Sequence, residues 1–410
     1  MAKRQREENS MNGANGYSGF GGHLLAAPTD SSEGVRAISS AEDALLQELA
    51  ALGIEDAEQL VAIVSIPGIR EELESVLGST DGALEALLDQ AASSLPTERA
   101  ALVSNPAPRD LGLGALPPTQ EMVATAERSM MASADIEAIS LPAAINLIPF
   151  FQPIRSQGPR GTCVAYTLTA LNEYILRRRG FVRNLSEQHL YYETKLIDGI
   201  PASCGTYQAK AVLPLLSKGE CLETIWPYNP SMPCNNHGPR PANARPNGLN
   251  QRLSTVAVPA RNVAAYKLHM SKQRPVTISI PVYNSWYQSQ ETRRSGRITM
   301  RIGNEPVVGG HAVCLVGYQD TPGSPGGGYF LVRNSWGTAG FGYESPYGAG
   351  YGTIPYQYIT NYAYLGESFT AIVPGIQTEE DTGEESTEAN SATTVTIEVK
   401  PNITITISST

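Results

Sequence analysis

The sequence predicts an α+β domain preceded by a small all-α bundle. Three observations carry that expectation. Short amphipathic helical stretches crowd residues 38–95, a longer helical face begins at Cys163, and two strand-like apolar runs frame a Gly/Pro-rich loop at residues 320–328. With 410 residues the chain exceeds one average domain. It holds no apolar run of bilayer length, and Met1-Ala-Lys-Arg-Gln-Arg-Glu-Glu lacks the apolar stretch of a secretory signal. The expectation is therefore a cytoplasmic protein without a membrane partner, in which the sequons at Asn184 and Asn402 carry no weight.

In chain order, residues 1–37 are rich in Gly, Ser, Asn and charge and read as a disordered segment. Residues 38–95 read as the bundle. Ser40-Ala-Glu-Asp43 resembles a capping box before Leu45, Leu46, Leu49 and Leu52, with Gly53 as the stop. Asp56 opens a second helix, Ile69 to Leu77 marks a third ended by Gly78, and Leu84 to Leu88 marks a fourth. Helices this short persist only by packing on one another. Residues 96–140 read as a linker or pro-segment with one helix around Glu121–Met131. Residues 141–375 form the main domain and 376–392 an acidic spacer. Residues 393–410 form a candidate β-hairpin turning at Lys400-Pro-Asn402, with apolar residues alternating on both sides.

Charge divides along the same lines. Residues 1–140 hold 8 Lys/Arg against 22 Asp/Glu, whereas residues 141–375 hold 21 against 11. An acidic front section thus precedes a basic domain, and two readings account for the split: intramolecular docking of residues 38–140 on that domain, or plain solubility. The arginines are scattered and no nucleic-acid recognition motif is present, so nucleic acid is not an expected partner. Five cysteines with no CxxC pair or His/Cys cluster imply at least one free thiol, no metal and no cofactor.

The chemistry concentrates in Gln157-Gly-Pro-Arg-Gly-Thr-Cys163. The glycines and proline keep that loop out of a helix, and a helix follows at once with Val164, Leu168, Leu171 and Ile175 on one face and Gly180 as the stop. Cys163 then sits at a helix N-terminus, capped by Thr162 or Gly161, where the macrodipole and free N–H groups favour a thiolate. His311 precedes a buried strand, Ala312–Tyr318, and a second strand, Tyr329–Arg333, returns to Asn334. The two strands form a hairpin that brings His311 and Asn334 out at one end. Asn334 can then fix the imidazole while the other ring nitrogen faces a thiol. Trp336 can shield that pair from water. Gln157 can add its side-chain amide to the Cys163 N–H as an oxyanion donor. Cys204, Cys221, Cys234 and Cys314 read as packing residues, with at most one local pairing. His23, His189, His237 and His269 read as structural or solvated.

These pieces, with Leu185-Ser-Glu-Gln188, Trp226-Pro-Tyr228, Gly317-Tyr318 and Asn334-Ser-Trp-Gly337, resemble the papain family of cysteine peptidases, in family order across about 141–370. The resemblance implies a two-lobed fold: a helical left lobe carrying Cys163 and an antiparallel β-barrel-like right lobe carrying His311 and Asn334. The cleft between them takes an extended peptide, with Gly205 and Gly310 in the stretches that meet substrate. Departures from the family pattern are Arg160 in place of a disulfide cysteine, Val164 in place of a tryptophan, Gly310 before the histidine, and Gly340-Phe-Gly342 after Trp336. Together they resemble a bacterial-type branch, and the lost bridge suits a reducing compartment. The implied function is a cysteine endopeptidase acting through a Cys163 acyl-enzyme, made as a zymogen or regulated by its acidic front section. The alternatives are a transpeptidase or amidase using the same site, and a degenerate peptidase that only binds peptides.

Overall fold

The structure is a computed structural model that describes residues 34–78, 82–131, 140–233, 236, 238–372, 395–399 and 403–407. Most of the expected disordered segment and all of the acidic spacer lie outside the described residues.

Five helices open the chain: α1 (Gly34–Ala51), α2 (Ala57–Val64), α3 (Ile69–Leu77), α4 (Ala83–Ser94) and α5 (Thr97–Val103). Asp56 caps α2 by accepting from the Gln59 amide at 3.0 Å, which satisfies one of the helix's orphan donors. Gly78 ends α3 with φ 59°, a left-handed stop open to glycine. Leu49, Leu60, Ile63, Leu73, Leu84, Leu87 and Val103 form their common core. Two boundaries differ from the sequence reading. Helix α1 begins at Gly34, ahead of Ser40, and α5 lies inside the stretch read as linker. The run Thr97-Glu-Arg-Ala-Ala-Leu-Val is helix-forming, and burying Val103 in the bundle supplies the packing that a seven-residue helix lacks alone.

The bundle's core includes a residue of the following domain: Ile302 is fully buried among the helices. The Met300 amide donates to the Leu52 carbonyl at 2.9 Å. Arg297 pairs with Asp56, and Arg294 lies 2.5 Å from Glu58. Two arginines of the domain thus pair with carboxylates of the bundle.

After α6 (Gln120–Met131) come β1 (Ala144–Asn146) and three helices, α7 (Cys163–Arg178), α8 (Glu187–Lys195) and α9 (Gln208–Ser217). Helix α7 is buried on all sides from Cys163 to Ile175, where the periodicity predicts one apolar face. It can be central because its polar residues find partners: Glu173 accepts from Arg155 at 3.0 Å, and Asn172 donates to Glu220 at 2.6 Å. Further on lie α10 (Ala244–Gly248), β2 (Thr255–Ala257), α11 (Val263–Ser271), β3 (Val276–Tyr283), α12 (Asn284–Tyr287) and α13 (Gln290–Ser295). They are followed by β4 (Val307–Asp320), β5 (Gly328–Arg333), β6 (Tyr351–Pro355) and β7 (Ser368–Ala371).

Strands β1 to β7 form one antiparallel sheet in the order β2-β7-β3-β4-β5-β6, with β1 beside β4. Its end strands β2 and β6 do not pair with each other, so the sheet is open where a barrel-like closure was expected. Strand β4 is long, and its central residues are buried, so His311 lies within the strand, paired with Ile280. Residues 373–410 are a separate unit in which β8 (Val395–Val399) pairs antiparallel with β9 (Ile403–Ile407).

Candidate active site

The start of α7 packs against β4. One turn into the helix, the Thr167 hydroxyl donates to the Ala312 carbonyl at 2.9 Å, which sets Cys163 beside the strand segment that carries His311. Backbone N–H groups of Ala312, Gly114, Val164 and Ala115 surround the thiol. Thr162 precedes the helix without capping it; its hydroxyl instead lies 2.7 Å from Tyr228 Oη. The helix N-terminus is therefore left to the cysteine.

His311 Nε2 lies 2.8 Å from Asn334 Oδ1. The Ser335 amide also donates to Asn334 Oδ1 at 2.7 Å, so that oxygen is committed to acceptance and Nε2 must carry the ring proton. His311 Nδ1 makes no hydrogen bond among the described residues. The Trp336 ring stacks on the imidazole with centroids 4.5 Å apart, and both rings are buried. Gln157 is anchored through its Oε1, which accepts from Ser335 Oγ at 2.6 Å. The arrangement thus holds a thiol at a helix tip, an imidazole of fixed tautomer and a positioned amide donor.

A segment from the front of the chain crosses the same place. The Tyr287 hydroxyl donates to Leu111 O at 2.6 Å. The carbonyl of Gly112 accepts from Gln157 Nε2 and from Trp336 Nε1, both at 3.1 Å. Gly114 and Ala115 amides donate to Gly310 O at 3.0 and 3.1 Å, and the Leu116 amide donates to Thr206 O at 3.0 Å. Leu116 covers Gly205, and Leu113 lies against Gly309. Gly205 and Gly310, both expected from the sequence to meet a peptide, thus border this segment of the chain itself. Under this cover burial pushes the Cys163 thiol up to about 11, against the pull of the surrounding N–H groups. Burial lowers His311 to about 4, against the Asn334 bond. Burial thus favours the neutral form of both groups.

The sequence reading missed the pairing segment 111–116 and its partner Thr206. The signal was present in Leu-Gly-Leu-Gly-Ala: alternating glycines in a stretch read as linker mark a backbone that must approach another closely. Cys163, Cys221 and Cys314 are free thiols, and Cys204 is disulfide-bonded. Among the described residues no group of His, Cys, Asp and Glu could hold a metal ion, and no helix is long and apolar enough to cross a membrane.

A helix led by a cysteine, set against a sheet that presents a paired histidine and asparagine, defines the class as a cysteine peptidase. Residues 147–347, just under half of the chain, match the papain family of cysteine proteases. Over 88 residues it is 33% identical to an uncharacterized peptidase C1-like protein of Acanthamoeba polyphaga mimivirus. That match spans 21% of this chain and only 24%, about a quarter, of the relative. Among solved structures it resembles xylellain, a cysteine protease from Xylella fastidiosa, with TM-score 0.50 and 23% identity over 64% of this chain and 97% of that one. It also resembles digestive procathepsin L 3 of Tenebrio molitor, with TM-score 0.45 and 16% identity over 84% of this chain and 100% of that one. At 23% identity the likeness to xylellain is one of fold.

Proposed function

We propose that the chain is a cysteine endopeptidase held as a zymogen by its own front section, with Cys163 as nucleophile. The observation that carries the reading is the 2.8 Å pair of His311 Nε2 and Asn334 Oδ1 beneath Trp336, which leaves His311 Nδ1 to take the Cys163 proton. In the proposed reaction Cys163 Sγ bonds to the scissile carbonyl carbon. The resulting oxyanion accepts from the Cys163 N–H and Gln157 Nε2. His311 passes its proton to the leaving amine, the C–N bond breaks, and a thioester remains. His311 then takes a proton from water, whose oxygen displaces the thiol and releases the acid.

The zymogen reading rests on the crossing segment. Its Gly112 carbonyl occupies Gln157 Nε2, the donor assigned to the oxyanion, and its backbone covers the thiol. The bundle anchors it from one end through Ile302 and the Arg294 and Arg297 ion pairs.

The test is hydrolysis of a mixed peptide library by the full-length chain before and after limited proteolysis. Activity that appears on processing and vanishes in Cys163→Ala and His311→Ala, with both variants folded, supports the reading. Undiminished turnover in either variant removes it. Amine-dependent products in the same assay would make the enzyme a transpeptidase.

A further inference from the structure

The two residues that border the crossing segment around Leu116, Gly205 and Thr206, rest on a buried ion pair. Lys195 ends α8, and its Nζ lies 2.6 Å from Asp198 Oδ2, with side chains 1% and 0% exposed. The ammonium also donates to the carbonyls of Ile200 at 2.9 Å and Gly205 at 3.1 Å, which uses all three of its hydrogens. Asp198 Oδ1 accepts from the Ile200 amide at 3.0 Å, and Oδ2 accepts from Thr206 Oγ1 at 2.9 Å. The knot is fully satisfied. Removing two charges from water offsets most of their attraction, so such a pair adds little net stability, and what it can fix is a conformation.

The conformation in question is the loop from 198 to 206, and the outer edge of that loop is where a peptide backbone adds. The Thr206 amide donates to Gly114 O at 2.9 Å, and Thr206 O accepts from Leu116 N at 3.0 Å, a short parallel bridge of Ala115 with Thr206. Main-chain pairing of this kind gives affinity only if the receiving edge is already extended when the peptide arrives. Thr206 is the link: its hydroxyl points inward to Asp198 while its amide and carbonyl point outward to the peptide.

We propose that Lys195 and Asp198, acting through the Thr206 hydroxyl, are positioning residues that preset this edge for extended peptides, setting their affinity and leaving the reactivity of Cys163 unchanged. The proposal rests on the peptidase reading for its substrate, and on the structure alone for the edge itself.

Two measurements test it. The full-length chain and its Thr206→Val and Thr206→Ser variants are activated by the same limited proteolysis and assayed with a peptide extending several residues to the acyl side of the cut. Thr206→Val, which loses only the hydroxyl, is expected to raise KM about tenfold. Its kcat and its rate of Cys163 alkylation by iodoacetamide are expected to stay unchanged, and Thr206→Ser is expected to keep the parental KM. An unchanged KM in Thr206→Val, or a parallel loss of kcat, alkylation and Tm, overturns the proposal. The second measurement needs no turnover: hydrogen exchange at the Leu116 amide in the unprocessed chain. Faster exchange in Thr206→Val supports the preset edge, and unaltered exchange overturns it. Should the processed parent show no Cys163-dependent hydrolysis, the peptidase reading fails while this exchange still decides the role of the knot.

Discussion

Gly114 passes so close to Gly161 that a methyl group on its Cα would stand 2.1 Å from the Gly161 carbonyl oxygen. Backbone cannot yield as a flexible side chain can, so Gly114→Ala must lift the segment from the 158–161 loop. In the unprocessed chain this is expected to speed iodoacetamide labelling of Cys163 by at least about tenfold, the ratio that follows from losing roughly 1.4 kcal/mol of closure. Gly323→Ala, at a site with nothing within 4 Å, serves as the control. Equal labelling in both variants would show that the segment does not guard the thiol.

The pH dependence of that labelling has a defined direction. Thiolate is the reactive form, and in the covered site burial raises the Cys163 thiol to about 11. Alkylation of the unprocessed chain should therefore keep climbing through pH 9, whereas the processed enzyme should level off at lower pH. Peptide mapping separates Cys163 from Cys221 and Cys314, both raised by burial to about 12. A plateau near neutrality in the unprocessed chain would contradict the neutral thiol.

Asn334 holds the ring of His311 and Trp336 covers the bond, so the pair acts on chemistry more than on binding. Asn334→Ala is expected to lower kcat of the processed enzyme on the order of 100-fold, with KM changed little, because a free ring loses its tautomer and its aim. Steady-state kinetics on one peptide decides it. A loss confined to KM would mean that Asn334 contacts substrate instead.

The sequence made the site legible because its parts are local: a loop that opens a helix at Cys163, and a hairpin of two strands that brings His311 to Asn334. The helix and hairpin are written in periodicity and turn residues. What escaped depends on partners far along the chain. Helix α5 is too short to announce itself and is stabilised by burying Val103, and Ile302 enters the bundle from a loop with no helical pattern. Segment 111–116 carries almost no side-chain signal, since its pairing is main-chain and its partners lie at Thr206 and Gly310. The openness of the sheet escaped for a similar reason: whether β2 meets β6 depends on strand order, which alternation along single strands does not encode.

Ile302 is the one fully buried side chain that the main domain contributes to the bundle's described core. Ile302→Ala should cost about 2–5 kcal/mol there, through lost transfer energy and the cavity left behind. Because the cost falls on the contact between bundle and domain, calorimetry of the full-length variant should show the bundle melting ahead of the domain. A single transition at the parental Tm would mean that the contact contributes nothing.

Acid is expected to tighten the bundle's hold. Glu58 meets Arg99 within the bundle and Arg294 and the Glu291 carboxyl across the contact, while Glu344 shares both arginines. Burial, then the neighbouring Glu291, raises Glu58 above its ordinary value, and burial raises Glu55 beside Arg297 and Asp56. A group whose pKa is higher when docked binds its proton more tightly there, so its contribution is fully present below the undocked value near 4.5 and is lost as pH rises through the docked one. The seam should thus be firmer at pH 5 than at pH 8. Protection of the Met300 amide, which donates to Leu52 O across the seam, reports this once intrinsic exchange is corrected for. Glu58→Gln should flatten the pH response, because glutamine carries no titrating proton. Weaker protection at pH 5 than at pH 8 in the parent would reverse the assignment and make acid the natural release.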